Sequence, residues 1–414
     1  MPYRLLKFAF SKEYPEPRMF RAPAVLKEEY DVVIIGGGGH GLAAAYYLAT
    51  EHGITNVAVL EKGYLGGGGT GRNTAIIRSN YLTEEGVRFY QASVELFQDL
   101  SRQLDLNLFY SERGHFTLAH SPTSLRTMRW RAEVNKHMGI DSELVGTEFL
   151  KRAVPQIDIT CGGHQSPVHG ALYHPPGAIA RHDAVAWAYA RGADRRGVEI
   201  HQQTAVKDIE IRDGQVVGVH TSRGYIKTRK VLSAVAGWTT SITKMVGLRT
   251  PLVIFPLQAI VTEPLKPWLD HIVVSASLHL YLSQSSRGEL VTGASLDPYE
   301  VISQRSTLDF AEGLCGHMLD LFPCLSDVKI MRQWAGLSDM TPDFSPIMGT
   351  TPIGGFYIDA GWGTWGFKAT PISGKTMAAT VARDTDHELI TAFNLSRFAQ
   401  FQLVGEKGAA SVGH

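Results

Sequence analysis

The stretch Glu29–Gly63, EYDVVIIGGGGHGLAAAYYLATEHGITNVAVLEKG, constrains the fold more than any other part of the chain. Asp31–Ile35 is a short β-branched run, the composition of a parallel strand buried on both faces. It runs straight into Gly36, Gly38 and Gly41, which have the G-x-G-x-x-G spacing. Leu42–Glu51 follows with helix-forming residues, and Gly53 sits where a helix C-terminus favours glycine. Val57–Leu60 repeats the strand pattern and Glu61 closes it. Strand, glycine turn, helix, strand and terminal acid in this order predict a dinucleotide-binding βαβ unit. The glycines let main chain approach a pyrophosphate, and the helix N-terminus offers it free N–H groups and a positive dipole end. Glu61 can accept hydrogen bonds from two ribose hydroxyls.

A chain of 414 residues exceeds one simple core and predicts at least two domains. Forty basic and forty acidic residues cancel, leaving no overall field for nucleic acid or anionic lipid. No apolar run approaches the roughly 20 residues of a membrane span. The opening MPYRLLKFAFSKEYPEPRMF breaks its apolar residues with charges and prolines, so no cleaved leader is expected. Cys161, Cys315 and Cys324 are few, odd in number and outside any metal or redox spacing. A reduced, cytoplasmic setting is the expectation.

Residues 1–29 hold four prolines and several aromatics, and read either as an arm packed on its own domain or as one lying on a partner subunit. After Lys62 comes a second glycine cluster, GYLGGGGTGRNTAIIRSNYL. Glycine costs backbone entropy, so close approach to a bulky flat ligand explains the cluster better than folding does. It contains Arg72 and Arg78, one suited to a pyrophosphate and the other to a substrate carboxylate. Thr83–Leu104 is a capped amphipathic helix, and Asn107–Ile159 carries no chemical motif. His164, His169 and His174 fall close together, yet no pair has helical i, i+4 spacing and no carboxylate lies among them, so no metal site is expected. Pro175 and Pro176 stiffen the backbone at His174, which suits a fixed imidazole. Val206 falls where main chain could hold an adenine edge. Gly355–Ala360 is a strand leading into the Gly361–Gly366 turn, and a helix is expected to begin near Pro371. Lys368 at that turn opposes the helix dipole, which points to a role beyond a solvated lysine.

The blocks VVIIGGGGHGLAAAYYL, TGRNTAIIRSNYL, ALYHPPGAIARHDAV, MRQWAGLSDMTPDFSPIMG and GWGTWGFKATPISGK carry a resemblance along nearly the whole chain. On these blocks it resembles the beta subunits of heterotetrameric sarcosine oxidases, within the flavin-dependent amine oxidases. The resemblance implies a noncovalent FAD across Gly36, Gly38, Gly39, His40, Gly41 and Glu61. The same FAD would meet Thr70, Arg72 and Asn73, Val206, and the turn Gly361, Gly363, Gly366, Phe367 and Lys368. It implies an FMN joined to His174, with His182 beside it, and a substrate carboxylate gripped by Arg78 and Lys368. Implied partners are alpha, gamma and delta subunits, sarcosine, oxygen, and tetrahydrofolate bound by the alpha subunit. Electrons would pass from sarcosine to FAD, to FMN and to oxygen, giving glycine, hydrogen peroxide and formaldehyde or methylenetetrahydrofolate. Alternatives are the beta subunit of a dye-linked proline dehydrogenase, or a flavin-carrying assembly subunit without catalysis.

Two positions depart from the family pattern: Trp365 stands where the turn has glycine, and Gly69 where the loop has asparagine. The expected fold is α/β (α+β, two domains). A Rossmann-like FAD-binding domain at 30–90, 177–245 and 330–395 is interwoven with a substrate domain at 91–176 and 246–329, built on a large mixed β-sheet. An arm at 1–29 and a tail at 396–414 complete it.

Overall fold

The computed structural model describes residues 19–23, 25–163, 167–296 and 299–406, with isolated positions before residue 12. His164, part of the N-terminal arm and residues 407–414 lie outside the described residues.

The first strand, Val32–Ile35, is buried along its whole length between Val57–Leu60 and Val231–Ser233, parallel to both. It lies inside a six-stranded sheet in the order Ile347–Thr350, Phe356–Ala360, Val231–Ser233, Val32–Ile35, Val57–Leu60, Glu199–His201. Only Ile347–Thr350 runs antiparallel to its neighbour. Burial on both faces explains unbroken runs such as VVII and VAVL in place of alternation. Helices Gly39–Glu51, His182–Asp194 and Gly366–Arg383 share one core through Ala43, Ala44, Ala188, Met377 and Ala378. Gly374 permits the closest approach: a Cβ there would sit 2.3 Å from that of Ala43.

The second large sheet has eight strands, in the order Ile330–Met340, Val253–Pro264, Glu289–Leu296, Leu280–Gln284, Ile272–Ser275, His115–Ala119, Gly170–His174, Glu143–Val145. It is mixed, because Ile272–Ser275 runs parallel to His115–Ala119 while the other neighbours are antiparallel. A Rossmann-like sheet interwoven with a large mixed sheet is the architecture the sequence predicts.

Strand pairing and packing revise several details. The border at 90 falls inside one helix, Glu84–Gln103, whose Thr83 cap accepts from the Gly86 N–H. The border at 330 assigns Ile330–Met340 to the FAD-binding domain, yet this strand pairs with Val253–Pro264 in the larger sheet. The last helix begins at Gly366, five residues before Pro371, which lies inside it. The described part of the tail is packed: Arg397 makes a buried two-point ion pair with Asp343 at 2.8 and 2.9 Å. Glu406, also buried, accepts from the backbone N–H groups of Leu82 and Thr83 at 3.0 and 2.8 Å. In the described part of the arm, Phe20 packs on the main core and Arg21 bonds Asp194 at 3.0 Å. That portion therefore lies on its own chain.

Candidate active site

A cavity of about 660 Å³ opens where the six-stranded sheet's first strand meets its glycine turn. This is the size of a small-molecule or cofactor site. Its wall contains Gly36, Gly38, Gly39 and His40 from the first turn, then Glu61, Thr70, Arg72, Asn73 and Arg78. Val206, Gly363, Gly366, Phe367 and Lys368 complete the predicted residues on it. Gly41, Gly361, His174 and His182 are not on the wall.

Gly41 acts from behind: a Cβ there would lie 2.1 Å from the Gly36 carbonyl oxygen, so only glycine lets the helix leave the strand this sharply. Gly361, at φ +72°, donates its N–H to Asp339 Oδ2 at 2.6 Å and bends the chain into the second turn. Glu61 accepts from the Gly37 and Gly63 N–H groups at 2.9 and 2.7 Å. A carboxylate has about four lone-pair sites, so about two remain for ribose hydroxyls. Thr204 N–H bonds the Glu61 carbonyl at 2.8 Å and brings Val206 beside that acid. Thr70 Oγ1 accepts from the first N–H of helix Gly39–Glu51 at 2.9 Å, and lies 3.2 Å from where a Gly38 Cβ would be. Arg72 turns back on its own loop, donating to the Gly67 and Gly68 carbonyls, so it braces the glycine cluster. Asn73 bridges the Thr70 carbonyl and the Ala75 N–H. A bare-backbone turn, a helix N-terminus and an acid with lone pairs to spare fit the dinucleotide half of FAD.

His40 joins the two glycine turns. Its Nδ1 lies 3.1 Å from Asp359 Oδ2 and its Nε2 2.7 Å from the Gly366 carbonyl. Both nitrogens face oxygen acceptors, so the doubly protonated ring satisfies both. Burial opposes that charge, but Asp359 and the Gly366 carbonyl outweigh it and hold the pKa above its ordinary 6.5. Asp359 also accepts from Trp362 Nε1 and Ser373 Oγ, at 2.5 and 2.7 Å. A raised folded pKa contributes stability that is complete below about 6.5 and lost as pH climbs through the folded value. The melting-temperature gap between wild type and His40→Gln is therefore expected to be widest in mild acid and to shrink with rising pH. A gap independent of pH would show that His40 is uncharged.

The cationic end of the cavity gathers side chains from distant segments. Arg78, 6% exposed, donates to the Asn80 carbonyl and Oδ1 at 3.2 and 2.9 Å, and its guanidinium lies 4.5 Å over the Tyr81 ring. Lys368, 9% exposed, points Nζ toward the Thr364 carbonyl at 3.4 Å. Burial, and next the Arg78 charge, push its pKa well below the ordinary lysine range. Two residues from the segment read as motif-free lie close by, one on the cavity wall and one buried behind it. His115 lines the cavity, and burial, with the Arg78 charge next, pushes its pKa well below the ordinary histidine range, so its imidazole is neutral. Its Nδ1 is buried and has no partner among the described residues. Arg131 bonds the Asn80 carbonyl through Nε at 2.8 Å, and burial with Arg78 drags its pKa down to about 9. Neither had a local signal: His115 is one residue of an alternating strand and Arg131 one of many charges on its helix.

The two histidines expected near FMN differ. His174 is fully buried, Nδ1 lies 2.6 Å from the Asp141 carbonyl, and Nε2 accepts from the Ser79 N–H at 3.4 Å. Burial pushes its pKa down to about 4, so the ring is neutral with both nitrogens engaged. His182, half-buried at the start of its helix, has an Nδ1 with no partner among the described residues.

Residues 31–380 match the family model described as FAD dependent oxidoreductase. The chain is 45% identical to sarcosine oxidase subunit beta of Arthrobacter sp, over 94% of this chain and 96% of that one. It is 43% identical to the protein of that name from Rhodobacter capsulatus, over 94% and 93%. The crystal structure of L-proline dehydrogenase from P. horikoshii superposes with a TM-score of 0.84 at 28% identity, covering 92% of this chain and all of that one. A cavity built as a flavin cradle and these likenesses agree: the chain belongs to the FAD-dependent oxidoreductase family, in its branch of sarcosine oxidase beta subunits.

Proposed function

We propose that the chain oxidises sarcosine to glycine within a multi-subunit oxidase, with oxygen as the final acceptor and hydrogen peroxide as its product. The one-carbon unit leaves as formaldehyde or passes to tetrahydrofolate on an alpha subunit, with gamma and delta subunits completing the assembly. The observation that carries this reading is the buried cation pair, Arg78 and Lys368, on one wall of the flavin cavity. FAD, when bound, supplies the two-electron acceptor for the carbon–nitrogen bond. Arg78 presents a planar fork to the substrate carboxylate, and Asn80 and Tyr81 fix its direction. Lys368 Nζ, poorly able to hold its proton beside Arg78, gains one readily when that carboxylate arrives. The neutral His115 ring lets the amine end of the substrate lie in the cavity without facing another positive charge.

The resemblance carried by the ALYHPPGAIARHDAV block also supports a second flavin, an FMN joined to His174, with His182, whose buried Nδ1 has no partner among the described residues, as the neighbouring candidate. A second reading, oxidation of proline or another secondary amino acid with a different acceptor, is supported by the likeness to the P. horikoshii enzyme.

One preparation, purified with its partners and replete in flavin, tests all three. Sarcosine is expected to bleach the flavin absorbance without air and to yield peroxide once air is admitted, faster than proline does. Bleaching by proline alone replaces the first reading with the second. Intact mass under denaturing conditions is expected to exceed the chain by one FMN in wild type and His182→Gln, and to equal the bare chain in His174→Gln. Loss of the added mass in His182→Gln instead would move the attachment to His182.

A further inference from the structure

Trp365 has no backbone reason to be large. It caps the last helix at φ −116° and ψ −8°, a conformation open to any residue, and its N–H bonds the Trp362 carbonyl at 2.8 Å. Its ring is nevertheless 3% exposed and forms part of the cavity wall, three residues before Lys368. The indole lies 4.7 Å from the Tyr81 ring, which stacks on Tyr90 at 4.0 Å. Arg78 rests on that same Tyr81 ring. The indole thus joins the aromatic block that backs one carboxylate-binding cation, and stands one helical turn from the other.

We propose that Trp365 is the specificity wall of the substrate pocket, restricting it to amino acids whose nitrogen and α-carbon bear only small groups. The inference rests on the reading of Arg78 and Lys368 as the carboxylate grip. A substrate's α-carbon is bonded to its carboxylate carbon and its nitrogen lies one bond further, so both must sit beside whatever flanks those cations. An indole there fills space that a glycine would leave open, on the order of the 150 Å³ that admits a benzene ring. One methylene of mismatch in such a pocket already discriminates by about 10- to 200-fold.

Trp365→Gly, with Trp365→Phe as the milder change, is compared with wild type after FAD content and melting temperature are matched. The ratio of kcat/KM for proline to that for sarcosine is expected to rise at least tenfold in the glycine variant and less in the phenylalanine variant. A parallel arm needs no turnover. Cyclopentanecarboxylate, titrated by the change in flavin absorbance, is expected to gain affinity relative to propionate in the same order. An unchanged ratio and unchanged relative affinity in a folded, FAD-loaded variant of either kind overturn the proposal. Loss of sarcosine oxidation by wild type would instead overturn the parent reading, and the carboxylate titration would still decide the role of Trp365.

Discussion

Arg78→Ala is expected to cut kcat/KM for sarcosine by about 30-fold to several thousand-fold, mostly through KM, while FAD stays bound. Truncating one member of a buried, hydrogen-bonded charge pair costs about 2–5 kcal/mol, and 1.36 kcal/mol is a factor of ten. The residue sits among cations that burden one another: Arg78 pushes down the pKa values of both Lys368 and Arg131. Removing it relieves that repulsion, so the melting temperature is expected to hold or rise even as binding collapses. This opposition between stability and function separates a binding role from a folding role. Arg78→Lys keeps the charge but not the fork and should fall between. Steady-state kinetics, flavin absorbance and a thermal melt check the three parts together. An unaltered KM in the alanine variant would mean that the carboxylate docks elsewhere.

Two alanines three residues apart are expected to fail in different ways. Gly41→Ala places a methyl 2.1 Å from the Gly36 carbonyl oxygen, a main-chain atom that cannot rotate aside. Overpacking of this kind costs about 3 kcal/mol or more, so both the fold and flavin retention should suffer. Gly38→Ala meets only Thr70 Oγ1, at 3.2 Å, and its methyl faces the expected pyrophosphate. The apoprotein should melt near the wild-type temperature while FAD affinity drops about 10- to 100-fold, the equivalent of roughly 1–3 kcal/mol. Calorimetry of the apo and FAD-loaded forms distinguishes them. Equal melting of both apoproteins would contradict the packing role given to Gly41.

Sequence alone reveals the first βαβ unit because its signals are local. Each strand is an unbroken apolar run, the turn is written in glycine, and Thr83 marks the next helix with its own hydroxyl. The second turn was harder to place: Pro371 reads as a helix start, but the helix begins at Gly366, and proline there forfeits a single interior bond. The cationic pocket was only half visible. Arg78 and Lys368 lie in glycine-rich surroundings that announce a site, whereas His115 reaches the cavity wall only through the eight-stranded sheet, and Arg131 braces Asn80 behind it only because helix Pro122–His137 brings it in. The His40–Asp359 bond was invisible, since 319 positions separate its ends. Periodicity carries no information at that range.

The other nitrogen of that histidine bears on how the protein is made. The grip of His40 on the Gly366 carbonyl links residues 326 positions apart, and the second turn supplies Phe367 and Lys368 to the cavity. While a ribosome is still threading out the chain, the early glycine turn therefore stands as half a vessel. Nascent chains halted before Gly366 should elute without yellow colour, and flavin capture belongs to the last moments of synthesis or to the time after release.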